Sequence, residues 1–332
     1  MITQHLPAWA HELVEEAAAS GEDIWAALQL CEKHGKCLPR PGHGNTADRW
    51  AVLAATAKAN LTAARVLEAH ADALAILQEA NDSVPEGTWG VFAAEAPPNR
   101  VEYRADGDGV VLRGVKPWCS LAEYLDAALV TAHGPDARQL FRVDLRHPSV
   151  QTHPAEQWVA RGLRNVTSAS ITFDDTPAQP VGGPDWYLSR AGFAWGGLGV
   201  AACWHGGAMG LYTALQRATQ TRSGELIDMQ VGRVDALLYA SETALADAAG
   251  RVDSGEAAGD AGRILALRVR AVVARAVERT LEQVGHALGP APLAFDADHA
   301  ARVADLSLYV RQHHAERDEA ALGAAIRDLT DL

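Results

Sequence analysis

Two adjacent histidines near the C-terminus, His313 and His314, are the residues whose chemistry is most open in this sequence. They lie in the segment RQHHAERD, among charged residues. A neutral imidazole is an effective general base near neutral pH, because its ordinary pKa is about 6.5. Neighbouring helical residues point about 100° apart, unlike the i, i+4 histidines of zinc sites. We therefore predict no metal site and keep two interpretations, a catalytic base or a solvated helical face.

The charge and cysteine content exclude several classes of function. The 332 residues carry a formal net charge of −13, which disfavours nucleic-acid binding because phosphate recognition relies on clustered lysines and arginines. The N-terminus shows no basic segment followed by an apolar one, and no run of about eighteen apolar residues occurs. We therefore expect a cytoplasmic protein without membrane contact. The four cysteines form no C-x-x-C motif, which predicts reduced, structural thiols.

Hydrophobic periodicity divides the chain into three parts. Residues 1–84 have helical periodicity, including an Ala-rich run over 50–81, whereas residues 85–185 consist of short β-type runs separated by turn residues. Because these strands follow one another without helices between them, we predict a central antiparallel β-barrel or sheet domain. Residues 186–332 are again helical and predict a C-terminal four-helix bundle. The predicted class is α+β and multidomain.

One helix of the predicted bundle contains the glycine-rich segment FAWGGLGVAACWHGGAMG. Its glycines are spaced like those of a dinucleotide-binding motif, but no strand precedes them, so we interpret them as positions of close helix packing. His205 lies in this apolar helix and is predicted to be a hydrogen-bonded core residue.

Four segments carry a resemblance to a known family. VFAAEAP has the pattern of a β-domain strand ending in T-E-P, and GVVLRGVKPWCSLAEYLDAALVTA has the pattern L-n-G-x-K-x-W followed by A-D-x-x-L-V. GLRNVTSASITFDDTPA is similar to a segment that closes the same β domain. GELIDMQVGRVDALLYASETALADAAGRVDSG is similar to the second bundle helix. Together with the order of helical, β and helical parts, these segments resemble the acyl-CoA dehydrogenase family.

The resemblance implies FAD bound between the β domain and the bundle, with acyl-CoA or another acyl substrate beside the flavin ring. In that arrangement Trp118 packs against the flavin, Cys119 and Ser120 continue the same segment, and the Ser120 hydroxyl lies near N5. The backbone at Ala94 faces the pyrimidine edge. A flavin independently requires an aromatic or apolar wall and a few fixed hydrogen bonds, because these tune how readily it accepts electrons.

The resemblance also implies a homodimer or homotetramer in which a partner subunit completes the flavin site. Arg222 in TRSG stands where the family has a diphosphate-binding arginine. Gln283 and Gly285 in EQVGHALG stand for residues that the partner contributes. The family's pyrophosphate-binding loop after the T-E-P strand is replaced by PNRVEYRADGDG, so we expect that contact to be lost.

The position of the family's catalytic glutamate departs from the pattern. Acyl dehydrogenation needs a base for the α-proton, and the family supplies a glutamate at one of two positions. Val200 occupies the first position, and His313, with His314 beside it, occupies the second.

We therefore expect an FAD-dependent oxidoreductase of acyl substrates with His313 nearest the position of the base, and an electron-transfer flavoprotein as its electron acceptor. Two alternatives stay open. The first is a reduced-flavin monooxygenase on the same fold, which would need a flavin reductase. The second is a binding or partner subunit that has lost flavin chemistry.

Overall fold

The structure, a computed structural model, describes residues 6–153 and 158–330. Helices form both ends of the chain and one β-sheet lies between them, as the sequence predicted. No helix in the described ranges is long and apolar enough to cross a membrane. The helices are α1 (Ala8–Ser20), α2 (Ile24–His34), α3 (Thr46–Ala59), α4 (Leu61–Glu79), α5 (Trp186–Ser189), α6 (Ala191–Ala218), α7 (Glu225–Asp253), α8 (Gly259–Leu288), α9 (Ala291–Phe295), α10 (Ala297–Tyr309) and α11 (Glu316–Thr330). The strands are β1 (Trp89–Phe92), β2 (Val101–Asp106), β3 (Gly109–Lys116), β4 (Ala127–His133), β5 (Arg138–Asp144), β6 (Val150–Thr152) and β7 (Ile171–Val181).

Asn60 divides the Ala-rich run of the N-terminal part into two helices. Its extended backbone, with φ −150° and ψ 115°, ends α3. Its side-chain carbonyl accepts a hydrogen bond from the Ala63 amide and so caps α4. The periodicity of the sequence did not separate these helices. The division leaves α4 in contact with α2, α3, α6 and β1, which makes it the central helix of the molecule.

The seven strands form a small barrel. Strands β4, β2, β3, β7 and β5 close into a ring, β1 lies beside β4, and β6 pairs with β7. Most pairs are antiparallel, but β1 runs parallel to β4, with Trp89 opposite Ala127, and β2 also meets β4 in parallel. The prediction of a wholly antiparallel sheet is therefore wrong in this respect. The β2–β3 hairpin lies between β1 and β4 in the chain, and this long connection allows the parallel pairing.

The C-terminal part contains three long helices and a fourth that is broken. Helix α6 packs against α8 and α3, and α7 packs against α8. Helix α8 ends at Leu288, where Gly289 has φ 71°, as the Gly-Pro sequence predicted. The fourth helix of the predicted bundle consists of α10 and α11, separated by one turn of 3-10 helix over Val310–Gln312 and by residues 313–315.

Glycines of α6 allow its close contact with α3. A Cβ atom at Gly206 would overlap the backbone carbonyl oxygen of Ala54, so the interpretation of these glycines as packing positions agrees with the structure. The neighbouring His205 is buried, and its Nδ1 lies 3.0 Å from the Ser241 hydroxyl of α7. Burial lowers the pKa of His205 to about 4, which makes it a neutral core residue.

The Gly206→Ala substitution should destabilise the chain by about 2 kcal/mol, because the new methyl group forces α6 away from the α3 backbone. Urea unfolding followed by circular dichroism measures the free energy of unfolding. The matched control is Gly232→Ala, at an exposed position of α7 where a Cβ meets no atom within 4 Å. This control should stabilise the chain by about 0.5–1 kcal/mol, since alanine restricts the unfolded backbone. Equal effects of the two substitutions would contradict the packing role of Gly206.

Candidate functional site

His313 lies buried at the break between α10 and α11. Its amide donates a 2.9 Å hydrogen bond to the Val310 carbonyl, and its backbone is extended. Its ring packs edge-on against Trp204 of α6, with the ring centroids 6.5 Å apart. Within the described residues no hydrogen-bond partner reaches its buried Nε2. Burial lowers the pKa of His313, and the Asp318 carboxylate opposes this only in part, so the imidazole is neutral at pH 7.

His314 has a different environment from its neighbour. Its side chain is exposed, and its Nδ1 lies 3.2 Å from an Asp318 oxygen. Its amide donates to the other Asp318 oxygen at 3.1 Å, which helps to start α11. The side chain of His314 is therefore solvated, which was one of the two interpretations of the histidine pair. Only His313 faces the interior.

The segment after β3 places Trp118 and Ser120 on one side and Cys119 on the other. The Trp118 indole is 58% exposed, although it touches Trp158 edge-on at 6.4 Å between centroids. Cys119 is buried, its Sγ donates to the Lys116 carbonyl, and burial raises the pKa of its thiol. The Ser120 hydroxyl lies 2.8 Å from that of Ser168. Of the three cofactor residues predicted in this segment, Trp118 and Ser120 can contact a ligand, whereas Cys119 belongs to the core.

A buried lysine fixes the end of β1 beside this segment. The Lys116 ammonium lies 2.9 Å from a Glu95 oxygen and donates to the carbonyl and hydroxyl of Thr131. Arg138 holds the same carboxylate at 2.9 Å and donates to the Ala93 carbonyl. The backbone at the predicted cofactor position Ala94 therefore has a fixed position, with an exposed side chain.

A buried polar network joins the barrel to both helical parts. Arg65 of α4 donates to a Glu68 oxygen at 3.2 Å and to the Ser120 hydroxyl at 3.4 Å. The Tyr309 hydroxyl, at the end of α10, donates to the same Glu68 oxygen at 3.2 Å. Burial raises the pKa of Glu68, and Asp72 one turn further along α4 adds to the effect. Arg65 and Glu68 are site residues that the sequence reasoning missed.

The network borders a cavity of about 640 Å³ between α4, the start of α6 and the start of α8. Glu68 and Asp72 line it from α4, and Val200, at the family's first glutamate position, lines it from α6. Arg270 of α8 also lines it, and its guanidinium lies 4.7 Å from the centre of the Trp204 ring. The volume is that of a site for a small organic molecule.

Arg222, expected to bind a diphosphate, and Gln283 and Gly285, expected from a partner subunit, form a separate group on the bundle. Arg222 follows α6 and donates to the Ala287 carbonyl at 3.1 Å. Gln283 accepts a hydrogen bond from Arg233 at 3.4 Å, and a Cβ at Gly285 would meet open space. All these hydrogen bonds stay within the bundle.

One signal in the sequence could have revealed the missed residues. Helix α4 is buried on nearly every side, yet it carries Arg65, Glu68 and Asp72 at the spacing i, i+3 and i+7. Charges on a helix that is apolar on every other side have no solvated face to occupy, so they must be paired inside the protein.

The junction of barrel and helices has the groups that a flavin ring needs. Trp118 presents an exposed indole as a wall, and Ser120 and Ser168 present hydroxyls that are fixed to each other. Arg65 adds a positive charge behind Ser120, where it can tune the electronics of a bound ring. The residues present therefore fit a flavin, with the 640 Å³ cavity available for a substrate.

The Glu68→Gln substitution should destabilise the chain by about 2 kcal/mol or more, because it leaves the Arg65 guanidinium without a countercharge in a buried site. Thermal and urea unfolding measure this loss. The control is Glu278→Gln, which breaks the half-exposed pair with Arg311 and should cost less than about 1 kcal/mol. If both substitutions lowered the free energy of unfolding equally, burial would not make the Arg65–Glu68 pair more stabilising than an exposed pair.

Comparisons with known proteins find the fold but no close relative. No family profile and no curated protein matches the chain. FMN-bound TdsC from Paenibacillus sp. A11-2 is 16% identical over 95% of each chain, with a TM-score of 0.79. KijD3 in complex with FMN and dTDP-3-amino-2,3,6-trideoxy-4-keto-3-methyl-D-glucose is 16% identical over 98% of this chain and 95% of its own, with a TM-score of 0.77. A nitrososynthase from Micromonospora carbonacea var. africana is 16% identical over 99% of this chain and 98% of its own, with a TM-score of 0.77. The chain thus has the fold of these three proteins, and the structures of TdsC and KijD3 contain FMN.

Proposed function

We propose that the chain is a flavin-dependent monooxygenase that receives reduced flavin from a separate flavin reductase. The supporting observation is the environment of His313, a buried, neutral imidazole whose Nε2 has no partner among the described residues. Val200, at the other position of the family's base, is aliphatic. Neither position offers a free carboxylate for α-proton removal. Structural similarity to TdsC, a dibenzothiophene monooxygenase, supports the same class of reaction.

The residues at the junction would each have a defined task. When bound, the reduced flavin supplies two electrons and two protons, with which one oxygen atom of O₂ leaves as water while the other enters the substrate. Trp118 would hold one face of the ring, and Ser120 would fix its edge through a hydroxyl that lies 2.8 Å from that of Ser168. Val200 and Phe193 line the substrate cavity with apolar surface, which limits the entry of water.

The cofactor that fits this chain best is FMN, with FAD as the alternative. After β1 the chain turns at once, and the Asn99 amide donates to the Ala96 carbonyl at 3.0 Å. This short turn replaces the loop that would contact the diphosphate of FAD. Arg222, Gln283 and Gly285 of a second copy would approach the flavin in a homodimer or homotetramer, so oligomerisation is part of the proposal.

Acyl dehydrogenation is the second candidate function, and one observation favours it. Glu68 lines the cavity, and both of its described hydrogen bonds reach the same oxygen, Oε2. Its Oε1 can therefore accept a proton from a substrate. In this reading an acyl-CoA is the substrate and an electron-transfer flavoprotein accepts the electrons.

The Trp118→Ala substitution should weaken FMN binding by about tenfold or more, because the flavin loses its aromatic wall. Titration of the purified chain with FMN, followed by quenching of flavin fluorescence, measures the dissociation constant. The control is Trp25→Ala, which removes another indole that is 59% exposed but lies on α2. This control should leave FMN binding unchanged. Equal binding by both variants would remove Trp118 from the site.

The reaction itself is tested by the source of the electrons. In the absence of O₂, a series of acyl-CoA thioesters should leave the absorbance of bound flavin unchanged. In a separate experiment in air, NADH and a flavin reductase should support O₂ consumption by the chain. Bleaching of the flavin by an acyl-CoA would contradict the monooxygenase and favour dehydrogenation. In that case the loss of bleaching by at least about 100-fold in His313→Ala would identify the imidazole as the base, and its loss in Glu68→Gln would identify the carboxylate. A chain that binds no flavin would be the binding subunit.

A further inference from the structure

We propose that the 640 Å³ cavity binds an organic amine whose protonated nitrogen contacts Asp72 and Glu68. This inference rests on the proposed function, because the amine would be the substrate of the monooxygenase.

Unused hydrogen-bond acceptors concentrate at the inner end of the cavity. Asp72 and Glu68 stand four residues apart on α4 and so share one face of the helix. In the described part of the chain, no hydrogen bond and no ion pair within 4 Å reaches the Asp72 carboxylate. Glu68 accepts both of its described hydrogen bonds at Oε2, which leaves Oε1 free. The two Asp72 oxygens and Oε1 of Glu68 therefore accept no hydrogen bond from the described residues.

The arginines around these carboxylates already have other partners. Arg190 donates through Nη1 to Glu79 at 2.6 Å and lies over the Tyr187 ring, whereas its buried Nε has no partner among the described residues. Arg270 donates to the carbonyls of Gly197 and Gln312 at 2.7 and 2.8 Å. Arg49 donates to the Pro39 carbonyl. These cations influence Asp72 from beyond ion-pair distance, which leaves its carboxylate oxygens available to the donors of a ligand.

The backbone of α6 keeps Asp72 open to the cavity. Gly196 stands opposite it, and a Cβ there would lie 2.9 Å from the Asp72 Oδ1 atom. Gly197 also lines the cavity, and its Cβ would contact Arg270 at 3.5 Å. Any larger residue at Gly196 would cover the carboxylate. The two glycines therefore shape the polar end of the cavity as well as allowing helices to pack.

The remaining surface of the cavity is suited to an apolar or aromatic ligand body. Phe193 and Leu188 line it with side chains that are 43% and 46% exposed, and Leu267 and Val200 continue the apolar wall. Two like charges on adjacent turns of a helix repel each other, and an ammonium group placed between them relieves this repulsion. A primary or secondary amine on an apolar body satisfies both ends of the cavity.

A matched pair of ligands tests the inference on the unaltered chain. Isothermal titration calorimetry with 2-phenylethylamine and with 2-phenylethanol compares two molecules of the same shape that differ in the ammonium group. We expect the amine to bind about tenfold or more tightly than the alcohol, because only the amine pairs with the two carboxyls. Equal binding of the two molecules would overturn the inference. Tighter binding of the alcohol would also overturn it and would indicate a neutral hydroxylated ligand.

Two variants locate the effect. Asp72→Asn should reduce amine affinity by about tenfold and reduce the preference over the alcohol, because only Glu68 is left to pair with the ammonium group. Asp260→Asn, at an acid of α8 that lines the cavity but already pairs with Arg263 at 3.3 Å, should keep the full preference. An undiminished preference in Asp72→Asn would overturn the assignment.

FMN titrations on the same preparations separate the two proposals. Amine binding that depends on Asp72 in a chain that binds no FMN would support the amine site and defeat the monooxygenase. FMN binding and reductase-dependent turnover without a preference for amines would support the monooxygenase and contradict the amine site.

Discussion

The buried pair of Arg65 and Glu68 is the interaction on which the rest of this structure depends. A charge inside a protein is tolerated only where partners surround it, and here the partners come from three parts of the chain. Helix α4 provides both members of the pair, the barrel provides the Ser120 hydroxyl, and the bundle provides the Tyr309 hydroxyl. Because each group needs the others, the barrel and the two helical parts are held in one arrangement.

The same pair lies next to the candidate site residues. Tyr309 is held on Glu68 at the point where α10 ends, so the chain turns there and brings His313 against Trp204. On one side of the pair lies the wall of Trp118 and Ser120, and on the other lies the cavity that reaches Asp72. The segment of Trp118 and Ser120 and the cavity are thus linked through Arg65 and Glu68. The barrel end is fixed independently by Lys116, which is itself fully enclosed.

The order of helical, β and helical parts could be predicted from the sequence, because hydrophobic periodicity reports which face of each element is buried. Short motifs singled out the segment around Trp118 and His313, and their role at a cofactor or substrate stays a prediction. The break at residues 310–315 could not, because it contains neither glycine nor proline and results from the burial of Tyr309 and His313. The parallel pairing of β1 with β4 is likewise invisible to local patterns.

The polar residues of α4 were missed for a related reason. Sequence periodicity picks out one apolar face through Leu67, Ala71, Leu74 and Leu77, which implies that the charges opposite are solvated. In the structure the same helix is covered by α2, α3, α6 and β1. Tertiary contacts therefore decide whether Glu68 and Asp72 are surface charges or site residues, and the apolar composition of α4 around these charges is the signal of such contacts that its own sequence carries.

The central claim, that a flavin binds where the barrel meets the helices, is tested most directly by a crystal structure of the chain grown with FMN. The account predicts an isoalloxazine ring within about 4 Å of the Trp118 indole and in hydrogen-bond reach of the Ser120 hydroxyl, with the 640 Å³ cavity beside it. A flavin bound elsewhere, or a junction that stays unchanged at saturating FMN, would contradict it.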